Sequence, residues 1–217
     1  MPGDPPVIGF YGGLTASLVI LTLLMGAGSH AASPAALGDA LWAHGVLGPR
    51  LRRSAAVGLP VAEGVLGVAG TAALLTGHQR GLQTVLVAGA ALFGLYAAYT
   101  RHVLALGRGG PCGCSGQDVP LSRWVTRRAA ALAVLAMSGA GVVGAGPVRL
   151  STAELITLVL AAPACATLLW YLPAAMHEPT TASVHLPTRA TAHQQDKTTV
   201  HRTAEGVPTR WTSPPAP

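Results

Sequence analysis

Charge is scarce in this sequence. Charged residues make up 10% of the 217 positions, against about 25% in ordinary soluble domains, and half of the chain is hydrophobic. That balance excludes an ordinary soluble domain. Cysteine is scarce too, and three in a chain of this length exclude a disulfide-stapled secreted scaffold. The apolar content excludes disorder for most of the chain. Glycine, by contrast, is plentiful at 27 residues, which lipid-embedded helix packing tolerates and a soluble helical core would not. What remains is an integral membrane protein.

A spanning helix needs about 20 mostly apolar residues. Val7 to Gly28 supplies one without a charge, and Ala55 to Gly77 a second whose only charge is Glu63. Leu82 to Leu106 supplies a third, with Arg101 and His102 near its end. Ala129 to Ala145 is shorter and Gly-rich, and extends back toward Val125 if its arginines snorkel. Leu150 to Tyr171 is an additional span, expected to bend at Pro163 and to finish on the interfacial pair Trp170 and Tyr171. The expected fold class is therefore all-α, a polytopic transmembrane bundle of four core helices plus a fifth. The first run is retained as a helix, because Met1 to Pro6 carries no Lys or Arg and the run is too long for a signal peptide's apolar region.

The few charges set an expected orientation. Arg50, Arg52 and Arg53 follow the first span. Arg101, Arg108, Arg123, Arg127 and Arg128 surround the loop after the third, and Arg189, Lys197, Arg202 and Arg210 lie in the tail. Only Arg80 and Arg149 fall on the other side, so the positive-inside rule puts the N-terminus outside and the tail in the cytoplasm of a cell-membrane protein. The net charge of +6 is thus a topology signal. No aromatic–basic interleaving points to nucleic acid, and the expected partner is the lipid bilayer.

From Met176 onward the composition turns to Thr, Pro and polar residues, which predicts a disordered tail. His177, His185, His193 and His201 recur there every eight residues, a pattern read as low-complexity drift over a metal array. The expected organisation is a four-helix domain over 1–146, an additional helix over 147–175 and the tail over 176–217.

The chemistry concentrates in one loop, Arg108-Gly-Gly-Pro-Cys112-Gly-Cys114-Ser-Gly-Gln-Asp118. Gly113 lets the backbone bend so that the two sulfurs approach. A bridge across one residue is strained, easily reduced and suited to exchange, and Arg108 with Arg101 would favour a thiolate. The alternatives are incidental thiols in a turn or a structural cap of the loop. A soft ion such as Cu(I) is a weaker reading, since zinc would need two more ligands and only His102 is near; no metal site is assigned. Cys165, beside Pro163, reads as packing.

Glu63 is the second feature, a carboxylate in a span and so a functional-site candidate. It is expected to hydrogen-bond Tyr96 or Tyr99, or to pair with Arg101, as a structural pair or a proton-handling group. His30, Asp39 and His44 add to the polar end where the cysteine loop emerges.

The order of these features resembles the MauE family of methylamine-utilisation membrane proteins, related to the DoxX-like four-helix proteins. The matching residues are Gly28-Ser29-His30-Ala31-Ala32-Ser33-Pro34, Leu37-Gly38-Asp39-Ala40-Leu41 and Leu59-Pro60-Val61-Ala62-Glu63-Gly64-Val65-Leu66-Gly67. Pro111-Cys112-Gly113-Cys114-Ser115-Gly116, then Trp124 and Arg127-Arg128, complete the set. Where family members usually carry Phe, Asn and Lys, this sequence has Ser115, Arg128 and His30. The resemblance covers Val7 to Ala145. It implies an accessory role in the maturation of methylamine dehydrogenase beside a thioredoxin-like partner, with Cys112 and Cys114 as the thiol pair and Glu63 as a buried polar partner. No cofactor is assigned.

Three readings follow. The leading one is thiol–disulfide exchange in support of partner maturation, with Cys112 and Cys114 reacting and Glu63, Arg101 and His102 supporting. The second is a soft-metal-binding module. The third is a non-catalytic assembly factor that holds a partner through Gly64, Gly67 and Gly70. Disulfide formation belongs outside the cytoplasm, whereas the arginine asymmetry puts the cysteine loop inside; the asymmetry is followed here.

Overall fold

The computed structural model describes residues 6–113, 120–146 and 150–176. Among them the chain forms six helices: α1 (Pro6–Ala32), α2 (Pro34–His44), α3 (Pro49–Leu75), α4 (Gln79–Ala105), α5 (Arg123–Ala145) and α6 (Thr152–Ala175). All but α2 are long and apolar enough to cross a membrane, so the chain is a multi-pass helical membrane protein, as its apolar runs require. In lipid every backbone polar group must be satisfied internally, which a helix does within its own segment.

α1 lies innermost, packed against α3, α5 and α6, and α4 pairs most extensively with α5. The core lies where α1, α4 and α5 meet, at Val19, Leu23, Leu86, Leu132 and Val143, all with essentially no exposure. Gly67 brings α3 onto α1: a Cβ there would stand 2.6 Å from Leu24 Cδ2. Gly70 faces Ile20 of the same helix. Gly67 and Gly70 are therefore used inside the bundle, and the glycine face that the assembly-factor reading offered to a partner is occupied by α1.

Proline starts two helices where its missing N–H costs nothing, Pro34 in α2 and Pro49 in α3. α2 is 11 residues long and stops at Gly45, whose φ of 62° is the left-handed region that glycine tolerates. α3 continues through Pro60 and α6 through Pro163, so the fifth span is one helix on both sides of its central proline. A reciprocal capping box between Ser151 and Glu154 starts α6. Cys165 packs against the core, which agrees with its reading as a packing residue. The Thr/Pro-rich tail and its histidines lie outside the described residues.

α2 carries no span, and hydropathy alone does not reveal it. It lies in sequence between the end of α1 and the start of α3, at the same end of the bundle as the α4–α5 loop. Leu37, Ala40, Leu41 and His44 are its buried positions, the i, i+3, i+4, i+7 pattern of one helical face.

Candidate functional site

Glu63 lies halfway along α3, about 21 Å from Pro49 at helical rise. The sequence places it shallower, because the arginines at 50, 52 and 53 look like loop and are helix. Only 5% of its surface is exposed. A carboxylate so deeply placed needs hydrogen-bond partners. Tyr96 of α4 supplies one, its hydroxyl donating to Oε1 at 2.8 Å. His30 of α1 stands with Nε2 3.6 Å from Oε2. Gly26 of α1 leaves the room: a Cβ there would lie 2.8 Å from Oε2.

Arg128, on the inward face of α5 with Val125, Ala129 and Leu132, lines the same cavities as Glu63, and Arg101 does not. Its guanidinium lies over the Trp170 ring of α6, 5.4 Å from the centroid, and Nη1 donates to the Trp170 carbonyl at 3.1 Å. Arg101 and His102 are exposed. The reason is angular: Tyr96, Thr100 and Val103 follow the i, i+4, i+7 face of α4, and residues 101 and 102 are turned away from it. Of the proposed supporting residues, the structure brings only Glu63 into the cluster.

His44 was read as one of several polar residues near this end and is more central than that. It is 2% exposed, and its Nδ1 lies 3.1 Å from the Tyr99 hydroxyl of α4. Burial pushes its pKa below the ordinary histidine value, an effect only partly opposed by the neighbouring Pro111 carbonyl. Arg108 donates from Nη1 to the carbonyls of His44 at 3.0 Å and Gly45 at 2.6 Å. It thereby satisfies the C-terminal carbonyls of α2. Asp39 is exposed on the opposite face.

The cysteine loop is pinched at its base. Leu121 N–H donates to the Gly110 carbonyl at 2.8 Å, and Pro111 and Pro120 pair as a single antiparallel bridge. Cys112 sits in this neck, buried at 7% exposure with Val103, Leu121 and Val125. Gly113 has φ of 70°, and a Cβ on it would stand 2.7 Å from Ala40 Cβ of α2. Only glycine meets both conditions. Cys114 lies outside the described residues.

These parts meet around a cavity of about 70 Å³, into which His30, His44, Glu63, Tyr96, Tyr99, Cys112 and Arg128 all face. A smaller cavity of about 30 Å³ shares His30, Glu63, Tyr96 and Arg128 and reaches Trp170. Sequence reasoning places His44 at this polar end without its buried seat and misses Arg128 as a member, though each sits on its helix's apolar-periodic face. Among the described residues, no three His, Cys, Asp or Glu side chains group closely enough to hold a metal ion.

Five apolar spans around a buried polar pocket, with a cysteine in a pinched loop at its rim, define a multi-pass helical membrane protein with one polar end. The sequence model of the family described as methylamine utilisation protein MauE matches residues 9–144. That is more than half of the chain, and the chain belongs to this family. No curated protein and no solved structure matches it. His30 and Arg128 both border Glu63 in the pocket.

Proposed function

We propose that this MauE-family protein takes part in thiol–disulfide exchange through Cys112 and Cys114, supporting the maturation of a partner protein at the cell membrane. The observation that carries the reading is the seat of Cys112, buried in the loop neck and facing the same cavity as two histidines and a carboxylate. A thiol attacks, and leaves, as its thiolate, so a reacting sulfur needs groups beside it that take and return a proton.

The exchange balances with one disulfide consumed and one formed. A partner thiolate attacks Cys114 Sγ, the Cys112–Cys114 bond breaks, and Cys112 leaves as a thiolate that takes up a proton. The partner's second thiolate then attacks its own sulfur in the mixed disulfide, and Cys114 leaves in turn. Two electrons pass from partner to chain, and a second, thioredoxin-like disulfide protein returns the pair to the oxidised state by the same steps. Cys112 is assigned the inner role because a buried sulfur is out of a partner's reach. The family's name supports a methylamine dehydrogenase-type protein as the one matured, and the arginine asymmetry supports a cytoplasmic cysteine loop.

The test is a trap. Cys112→Ser should accumulate a mixed disulfide between Cys114 and a partner, visible on non-reducing gels and absent from the Cys112→Ser/Cys114→Ser double variant. No adduct with either single variant, together with intact partner maturation in the double variant, overturns the reading.

A further inference from the structure

Three buried polar atoms around the cavity have no hydrogen-bond partner among the described residues: His44 Nε2, Glu63 Oε2 and Arg128 Nε. Leaving a buried polar group unsatisfied is costly, and in a membrane-spanning bundle lipid offers no replacement partner. Each of these residues faces the same space of about 70 Å³, and so does Cys112. A cavity needs only about 10–15 Å³ on this measure to admit a water, provided the water finds two to four polar partners. The cavity exceeds that volume, and the residues that carry these atoms, on α2, α3 and α5, line it.

We infer that this cavity holds ordered water joining His44 to Glu63, and that Glu63 is the proton partner of the Cys112 thiol. The inference rests on the exchange reading and adds the route its proton takes. When Cys112 leaves as a thiolate, the proton it takes up passes from the Glu63 carboxyl group through the water and the His44 imidazole. When Cys112 is oxidised again, the proton returns to the carboxylate the same way. No electron moves on this path.

Every element packed around Glu63 bears on its titration. α1 contributes His30, α2 His44, α4 Tyr96 and Tyr99, α5 Arg128, and the loop Cys112 itself. α6 reaches the adjoining space with Trp170, which does not titrate. Arg128 is the cation beside the carboxylate, and the His30 ring stands 3.6 Å from Oε2, while Tyr96 fixes Oε1 and leaves Oε2 to face water. Groups coupled in this way titrate together, so the pH profile of one carries the inflection of the other.

The experiment follows iodoacetamide alkylation of Cys112 against pH, by peptide mass, in the full chain in lipid nanodiscs with Cys114 replaced by Ser. The inference predicts a profile with two inflections. Glu63→Gln should reduce it to one and change the rate at a given pH by about tenfold, the equivalent of one pH unit. His44→Gln should also remove the second inflection, which keeps the test open if Glu63→Gln fails to fold. Exposed Arg80→Gln, in the first turn of α4, should leave the profile as it was. A profile unchanged by both Glu63→Gln and His44→Gln overturns the inference. Coupling without any partner adduct in the trapping experiment would sink the exchange reading and leave this proton site standing; adducts without coupling would do the reverse.

Discussion

The Tyr96 hydroxyl donates to Glu63 Oε1 at 2.8 Å while His30 Nε2 approaches the other carboxylate oxygen at 3.6 Å. One acid thus ties α4 and α1 to the middle of α3. Helix association in membranes draws on close packing and on such polar contacts between helices. Here the small residue that permits the packing, Gly26, sits directly against the carboxylate it accommodates.

Tyr96→Phe keeps the ring, which packs edge-on to Phe93 with centroids 6.4 Å apart, and removes only the donor. The expected loss is about 1–3 kcal/mol, the cost of leaving a buried acceptor unsatisfied. Equilibrium unfolding in detergent checks it, and a variant as stable as the parent would show that the bond contributes nothing.

Gly26→Ala and Gly28→Ala differ only in what the new methyl meets. At 26 it would lie 2.8 Å from Glu63 Oε2, whereas at 28 nothing stands within 4 Å. Gly26→Ala should lower stability by about 1–3 kcal/mol, as overpacking does, and Gly28→Ala should not. Equal melting temperatures for the two variants would contradict the close approach.

Gly113→Ala must place an L side chain at φ of 70° and a methyl 2.7 Å from Ala40 Cβ. The left-handed conformation alone costs about 1–2 kcal/mol. The loop neck should loosen, raising the rate at which Cys112 is alkylated, while Gly109→Ala, with open space around it, leaves that rate unchanged.

His44 makes stability depend on pH in a definite direction. Its folded-state pKa is lowered by burial, so between that value and the ordinary one of about 6.5 the unfolded chain binds more protons. Stability from this residue is complete above about pH 6.5 and falls as the pH drops toward the folded-state pKa. His44→Phe should flatten that part of the curve, measured as unfolding midpoint between pH 7.5 and pH 5. A wild-type midpoint that rises on acidification, with the variant following it, would reverse the sign.

The spans were legible because a run of about 20 apolar residues has few other uses, and helical rise offered Tyr96 as one of three candidate partners of Glu63, beside Tyr99 and Arg101. α2 was not, since 11 residues fall below what hydropathy detects. Depth misled where helix continued under charge: Arg50, Arg52 and Arg53 belong to α3, which carries Glu63 to mid-helix. Proximity along the chain also stood in for angle around it. Arg101 is five residues from Tyr96 and faces away, whereas Arg128, in another helix, faces in. The signal for Arg128 was present in Val125, Ala129 and Leu132, the apolar stripe it shares, but a charge on such a stripe reads as an interfacial residue until its partners are seen.

The central claim is that Cys112 and Cys114 change oxidation state together as the protein works. Acid-quenched alkylation in living cells, under oxidising and reducing conditions, measures this directly. The account predicts that both thiols become protected together under oxidation and reappear together on reduction, with Cys165 unchanged. Cys112 and Cys114 remaining in one state throughout would contradict it.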